Sequence, residues 1–265
     1  MKTIAMFAAV ALAAASLPAQ DWALKRLEDS PRQHDWVAVT HGDRTVHCFL
    51  TYPESSEKTT AVIVIHENRG LTDWVRGVTD QLAEAGYIAI APDLLSGMAP
   101  NGGKTGDFPN SDAAREGLYQ LPPEQVTADL EAVRTHLTGL PASNGKVAVS
   151  GFCWGGSQTF NFATRSDQLA AAFVFYGTGP EDADAIRRIA CAVHGFYGGN
   201  DARVNASIPK SQELMKEAGK TYEPVIYDGA GHGFMRSGEQ PDADEANAKA
   251  REAAWKRWKE LLGKL

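Results

Sequence analysis

Short apolar runs alternate with amphipathic segments along most of the chain. Residues 61–65 (AVIVI) and 87–91 (YIAIA) are continuous apolar runs, a pattern typical of strands that are buried on both faces. Residues 73–85, between them, have helical spacing and are followed by Gly86, a common helix terminator. Strands that alternate with helices in this way predict a mostly parallel sheet covered by helices on both faces.

The alternation continues to the end of the chain. Further strands are predicted at 146–149, 169–176, 191–197 and 222–227, and further helices at 122–137, 157–163, 182–188, 209–218 and 242–262. No internal repeat and no break in composition interrupts this region. Residues 20–265 are therefore expected to form a single α/β domain.

The first part of this region departs from the alternation. Residues 36–40 and 45–52 are strand-like and flank a turn, which predicts an antiparallel hairpin beside the parallel sheet. Residues 21–34 are polar, and residues 96–111 are rich in Gly, Pro, Asn and Ser. Both segments are predicted to run over the surface.

The N-terminus has the composition of a targeting segment. Lys2 precedes an uncharged apolar run over residues 4–15, and Ala19 offers a small residue for cleavage. This order predicts a secretory signal peptide over residues 1–19 and an exported, periplasmic or extracellular protein. The apolar run is shorter than the roughly 20 residues of a membrane span. An uncleaved anchor or an amphipathic first helix are the alternatives.

Composition narrows the range of partners. The 265 residues carry a net charge of −7, so no nucleic-acid partner is expected, because a phosphate-binding surface needs a basic excess. No membrane association is expected once the signal is cleaved, and a monomer is expected. The three cysteines are an odd number, which leaves at least one free thiol in an exported protein. A disulfide between Cys48 and Cys191 is one alternative. The favoured interpretation is that both are reduced and serve as packing residues.

One cysteine lies in a turn of distinctive sequence. Residues 151–156 (GFCWGG) follow a predicted strand and precede a predicted helix. This is the form of the G-x-S-x-G nucleophile elbow, with Cys153 in place of serine. The alternative is a glycine-rich turn around a buried packing cysteine.

An acid and a histidine follow at the ends of later strands. Asp201 comes after the predicted strand 191–197, and His232 lies in the glycine-rich loop before the last helix. A thiol needs a base to become a nucleophile, and an aspartate can orient a histidine that serves as that base. The order Cys153, Asp201, His232 is typical of α/β-hydrolases. Alternatively, Asp201 is a helix cap and His232 an ordinary loop residue.

Five stretches together resemble the dienelactone hydrolase family of α/β-hydrolases. They are residues 66–70 (HENRG), 91–94 (APDL), 151–156 (GFCWGG), 197–201 (YGGND) and 231–234 (GHGF). The resemblance implies an α/β-hydrolase fold and hydrolysis of small-molecule ester or lactone substrates, without a metal or organic cofactor.

The same resemblance implies roles for individual residues. It implies a catalytic triad of Cys153, His232 and Asp201, with Glu67 bound to the resting thiol and helping to deprotonate it. It also implies an oxyanion hole formed by the backbone N–H groups of Asn68 and Trp154. The alternative for Glu67 is a salt bridge to Arg69 or to another neighbouring cation.

One departure from the family pattern concerns the substrate. Family members hold a substrate carboxylate with two arginines, and Arg236 fits one of them. The second arginine of the family would fall near Gly97, which carries no charge. Arg69 is a candidate to supply the missing positive charge. Neutral or short esters are therefore expected to serve as well as anionic lactones. The leading hypothesis is a secreted ester or lactone hydrolase that works through a thioester, and the alternative is a non-catalytic α/β-hydrolase scaffold that binds a ligand.

Overall fold

A computed structural model describes residues 21–265 and contains an eight-stranded sheet. The strands are β1 (His34–His41), β2 (Arg44–Thr51), β3 (Thr59–Ile65), β4 (Ile88–Pro92), β5 (Ser143–Phe152), β6 (Ala171–Phe175), β7 (Ala192–Gly198) and β8 (Tyr222–Tyr227). Their order across the sheet is β1-β2-β4-β3-β5-β6-β7-β8. β1 and β2 pair antiparallel, as does β2 with β4, and the other pairs are parallel. The predicted parallel sheet and N-terminal hairpin are both present.

Helices cover both faces of the sheet. They are α1 (Asp21–Glu28), α2 (Asp73–Glu84), α3 (Ser111–Tyr119), α4 (Pro123–Thr138), α5 (Trp154–Ala163), α6 (Ala183–Arg187), α7 (Ala202–Asn205), α8 (Ile208–Glu217), α9 (Phe234–Ser237) and α10 (Glu245–Leu262). One face packs against α3 to α8, and the other against α1, α2, α9 and α10. Residues of β3, β4 and β5 contribute to the core on both faces, which explains their continuous apolar runs.

Two helices of eight or more residues, α1 and α3, were not predicted from the sequence. Residues 21–28 form helix α1 and bury Ala23 and Leu27, which lie four positions apart on one helical face. Helix α3 begins where Asn110 accepts a hydrogen bond from the Ala113 N–H, and it buries Ala114 and Leu118 at the same spacing. Each helix has only two buried apolar side chains, so its periodic signal is too short to stand out from a polar loop.

Two predictions concern the N-terminus and the cysteines. The predicted signal peptide over residues 1–19 lies outside the described residues. Between residues 21 and 265, no helix is long and apolar enough to cross a bilayer. Cys48, Cys153 and Cys191 are all free thiols, so the two packing cysteines are not bridged.

Candidate active site

The turn around Cys153 connects β5 to α5 with unusual backbone geometry. Cys153 has φ 55° and ψ −114°, a region that non-glycine residues rarely occupy. Its N–H donates to the Phe175 carbonyl over 3.0 Å, which ties the turn to the end of the neighbouring strand β6. Strain of this kind persists only where surrounding contacts hold it, and it is common at functional sites.

Glycine is required on both sides of this cysteine. A Cβ at Gly151 would collide with the backbone of Gly155, and a Cβ at Gly155 would collide with the carbonyls of Ile65 and His66. The start of α5 therefore packs directly against the ends of β5 and β3. The sequence pattern of the elbow corresponds to this close packing.

The structure brings Cys153, His232 and Asp201 into one line of contacts. His232 Nε2 lies 3.1 Å from Cys153 Sγ, and His232 Nδ1 lies 2.5 Å from Asp201 Oδ2. Asp201 is buried and also accepts a 3.3 Å hydrogen bond from the Val204 N–H at the start of α7. Asp201 is thus a helix cap and a histidine partner at once. The three residues follow β5, β7 and β8, whose carboxyl ends lie at the same edge of the sheet.

The surroundings keep the Cys153 thiol protonated. Burial, followed by the negative charge of Glu67, raises the pKa of Cys153 to about 11. A hydrogen bond from the Trp154 N–H and the charges of Arg203 and Arg236 act in the opposite direction with smaller effect. The resting residue is therefore a neutral thiol near pH 7 and depends on a base for reactivity.

Glu67 is bound to a cation rather than to the thiol. Arg236 Nε donates to Glu67 Oε2 over 2.8 Å, and both side chains are largely withdrawn from solvent. The negative charge of Glu67 raises the pKa of Arg236 above its ordinary value. The sequence left open whether Glu67 pairs with Arg69 or with another cation. In the structure its partner is Arg236, four positions after His232. Glu67 nevertheless lies close enough to Cys153 for its negative charge to raise the pKa of the thiol.

The other predicted groups have different surroundings. Arg69 is exposed and makes no hydrogen bond or ion pair within residues 21–265. The Asn68 backbone N–H likewise has no hydrogen-bond partner in that part of the chain. The Trp154 N–H lies beside Cys153 Sγ. The two proposed oxyanion donors are thus an unpaired N–H and one that contacts the thiol sulfur.

Arg44 lies near Gly97 but does not replace the charge that is missing there. Gly97 has φ 79°, and the guanidinium of Arg44 lies 3.9 Å from where its Cβ would be. Arg44, however, is bound to the buried carboxylate of Asp129 and to the carbonyls of Ser96 and Leu94. Arg44 therefore holds residues 94–96 in place. All three of its nitrogens already donate within the protein, so it is not available to bind a substrate carboxylate.

A small cavity lies beside the thiol. Its volume is about 210 Å³, and its walls are formed by Tyr119, Cys153, Trp154, Ser157, Tyr176, Thr178, Arg203 and Val204. Arg203 and Tyr119 were not singled out from the sequence. They come from α7 and α3 and have no motif around them, so only the packing of these helices reveals them. Arg203 makes no hydrogen bond or ion pair within the described chain.

Tyr176 is a third residue that sequence reasoning missed. It follows β6 with φ 39°, is 1% exposed, and packs edge-to-face against the His232 ring with 5.1 Å between centroids. Its hydroxyl is buried without a hydrogen-bond partner among residues 21–265. A buried, unpaired hydroxyl is unfavourable for stability, and the sequence contains no signal of it.

Metal-binding residues are not gathered at this site. Within residues 21–265, no three His, Cys, Asp or Glu side chains are arranged to hold a metal ion.

Comparison with known proteins identifies the family of this chain. A sequence model of the Dienelactone hydrolase family matches residues 46–265. The chain belongs to the dienelactone hydrolase family. A Salmonella typhimurium protein named "Putative carboxymethylenebutenolidase" is 32% identical over 199 residues, which cover 71% of this chain and 72% of that protein. A protein of the same name from Saccharolobus solfataricus is 28% identical over 258 residues, covering 82% and 93%.

Solved structures support the fold. A dienelactone hydrolase-like promiscuous phosphotriesterase from metagenomic libraries superposes with a TM-score of 0.75 at 22% identity, covering 89% of this chain and 99% of that one. The family match confirms the resemblance drawn from the sequence. Together with the sheet topology, it confirms the α/β-hydrolase fold and identifies the chain as a dienelactone hydrolase-like hydrolase.

Proposed function

We propose that this protein hydrolyses small carboxylic esters or lactones through a thioester on Cys153. The observation that carries the proposal is the continuous contact from Cys153 Sγ to His232 and from His232 to Asp201. A thiol with a raised pKa is unreactive alone, and this contact supplies the base that it lacks.

The first half of the reaction forms the acyl-enzyme. His232 Nε2 takes the thiol proton, and Cys153 Sγ attacks the carbonyl carbon to give a tetrahedral oxyanion. The N–H groups of Asn68 and Trp154 stabilise that oxyanion. The carbon–oxygen bond to the leaving group then breaks, and His232 returns its proton to the departing oxygen. Asp201 holds the imidazole and stabilises its positive charge.

The second half releases the acid. His232 removes a proton from water, and the resulting hydroxide attacks the thioester carbon. The carbon–sulfur bond then breaks, and His232 returns the proton to the sulfur to regenerate the Cys153 thiol. No metal or organic cofactor takes part in the proposal. Glu67 is a second carboxylate near the thiol, and its bond to Arg236 keeps it away from Cys153 until a substrate displaces one of the partners.

The cavity and its charges suggest the substrate size. A cavity of roughly 150 Å³ holds a benzene-sized group, so about 210 Å³ beside Cys153 suits one ring or a short acyl chain. Arg236 is bound to Glu67 and Arg69 is exposed, so Arg203 is the one cation in the cavity wall that is left for a substrate carboxylate within residues 21–265. We therefore propose that neutral short esters are accepted as well as anionic lactones.

Hydrolysis of p-nitrophenyl acetate by wild type and two cysteine variants tests the proposal. Cys153→Ala is expected to lower kcat/KM by about 10³-fold or more. Cys191→Ala is the matched control, because burial also raises the pKa of Cys191 to about 11, but no histidine within residues 21–265 forms a hydrogen bond with its sulfur. Mass spectrometry should find the acyl group on Cys153. Equal hydrolysis by both variants would reject Cys153 as the nucleophile. A wild type that neither hydrolyses the ester above the buffer rate nor becomes acylated would support the non-catalytic scaffold.

Export and a monomeric state are further parts of the proposal. Export rests on the composition of residues 1–19. Fractionation of expressing cells, with the mature N-terminus and native mass determined by mass spectrometry, tests both.

A further inference from the structure

His66 is a buried imidazole at the end of β3, two positions before Asn68. It is 0% exposed and lies among the residues that connect the ends of β3 and β4 to the elbow. The proposed mechanism assigns it no chemical step, and the catalytic line of contacts does not include it.

Both ring nitrogens of His66 have backbone partners. Nδ1 lies 2.8 Å from the carbonyl oxygen of Glu67, and Nε2 lies 3.3 Å from the N–H of Leu94. A carbonyl only accepts and an N–H only donates, so the proton is on Nδ1 and Nε2 is bare. Burial lowers the pKa of His66 against the opposing effects of Asp93 and Glu67, in agreement with a neutral ring.

The first of these bonds fixes the direction of a neighbouring donor. The Glu67 carbonyl and the Asn68 N–H belong to one planar peptide unit, in which the two groups point in opposite directions. Because the carbonyl accepts from His66 Nδ1, and over a longer 3.4 Å from the Gly70 N–H, the Asn68 N–H must point away from the imidazole. This N–H has no partner among residues 21–265 and stays available to a ligand.

The same ring also supports the second donor. The imidazole stacks on the Trp154 side chain, with 5.7 Å between centroids and 12° between planes. Trp154 is the first residue of α5, and its N–H already contacts Cys153 Sγ. The start of α5 further packs against the His66 carbonyl at Gly155. One neutral imidazole thus lies between the backbone segments that carry both oxyanion donors.

We propose that His66 is the positioning residue of the oxyanion hole. It orients the Asn68 N–H through the Glu67 peptide and holds Trp154 by stacking, without contacting substrate. This inference rests on the proposed acyl transfer through Cys153. It predicts that loss of His66 slows steps that form an oxyanion and spares steps that do not.

Two reactions of the same sulfur separate these cases. Acylation by p-nitrophenyl acetate forms an oxyanion, whereas alkylation by iodoacetamide displaces iodide at a saturated carbon and needs no oxyanion hole. His66→Ala should lower the acylation rate constant by about 10²-fold, as expected for a misdirected donor, with KM changed less than about threefold. Its alkylation rate should stay within about twofold of wild type.

A conservative variant and a control complete the design. His66→Gln keeps one N–H donor and one acceptor on a planar group, so it should acylate within about fivefold of wild type. His136→Ala removes a half-buried histidine from the end of α4 and should change neither reaction. His66→Leu fills the space without hydrogen bonds and replaces the alanine variant if that one does not fold.

The outcomes are distinguishable. Wild-type acylation in His66→Ala, or an equal loss of acylation and alkylation in folded protein, would overturn the inference. Failure of wild type to acylate while Cys153 still alkylates would overturn the proposed function itself, and the inference with it.

Discussion

Among the three aspartate–histidine pairs within residues 21–265, Asp201–His232 and Asp80–His34 have nearly the same local chemistry and different surroundings. Asp201 lies 2.5 Å from a ring nitrogen of His232, and Asp80 lies 2.9 Å from a ring nitrogen of His34. Both aspartate side chains are almost fully buried, at 6% and 1% exposure. The pair alone therefore does not identify a catalytic site.

In the Asp80–His34 pair, further hydrogen bonds occupy both carboxylate oxygens. Arg32 binds both oxygens of Asp80, at 2.8 and 2.7 Å, and the Ser30 hydroxyl donates over 2.8 Å. This cluster joins the segment after α1 and strand β1 to helix α2. Its hydrogen-bond partners and opposite charges are matched within the protein, as expected of a structural element.

The Asp201–His232 pair lies beside polar groups that lack hydrogen-bond partners within residues 21–265. The other ring nitrogen of His232 contacts the Cys153 thiol, and the adjacent Tyr176 hydroxyl and Asn68 N–H have no partners within residues 21–265. Cys153 and Tyr176 also have positive φ. The difference shows that unpaired donors and backbone strain at the carboxyl edge of the sheet distinguish the candidate site from a structural cluster.

The same aspartate-to-asparagine substitution in each pair should give the largest difference, with activity lost in one variant and stability in the other. Asp201→Asn is expected to lower kcat by about 10³- to 10⁴-fold with little loss of stability, because the imidazole loses its orienting charge. Asp80→Asn should leave kcat nearly unchanged and lower the free energy of unfolding by about 3 kcal/mol, because Arg32 stays buried without its counter-ion. Ester hydrolysis and urea unfolding of both variants measure these effects. Similar profiles for the two would remove the distinction.

The pH dependence of thiol alkylation should show the next largest effect. Burial and the charge of Glu67 raise the pKa of Cys153 to about 11, so the thiolate fraction grows about tenfold per pH unit between pH 7 and 10. The iodoacetamide rate at Cys153, followed by peptide mass mapping, should rise in proportion. A rate independent of pH over this range would mean that the resting thiol is already ionised by His232.

The Asp80 cluster should respond at the acidic end. Burial alone would raise the pKa of Asp80, but hydrogen bonds from Arg32, His34 and Ser30 outweigh it and hold the pKa below its ordinary value. Because the folded pKa is lowered, the stabilisation is complete above about pH 4 and is lost as pH falls through the folded pKa. Unfolding of wild type and Asp80→Asn between pH 6 and 2 should therefore converge in acid. A constant difference would contradict the assignment.

Removal of single hydroxyls should give the smallest effects, with opposite signs. Tyr176→Phe deletes a buried hydroxyl without a partner and should raise the free energy of unfolding by about 1 kcal/mol. Ser30→Ala deletes a matched donor to Asp80 and should lower it by about 1 kcal/mol. Thermal and urea unfolding measure both changes. Destabilisation by Tyr176→Phe would show that its hydroxyl has a structural partner.

Much of the site could be predicted because its key residues have local signals. The elbow needs glycines beside Cys153, since the neighbouring backbones leave no room for a Cβ. Asp201 and His232 each follow a strand, and parallel strands bring their carboxyl ends to one edge of the sheet. Helix α3 and the 21–28 helix were missed because two buried residues each are too few to reveal a period.

The sequence by itself determined the order along the chain of the eight strands and of six helices, the turn that carries Cys153, and the strand ends that carry Asp201 and His232. These features depend on backbone conformation and apolar periodicity, which a few consecutive residues encode. Only the tertiary structure decided that Glu67 binds Arg236, 169 positions away, and that Arg203 lines the cavity. Such contacts depend on how helices pack over the sheet edge and on where each side chain points, and neither is written in local spacing.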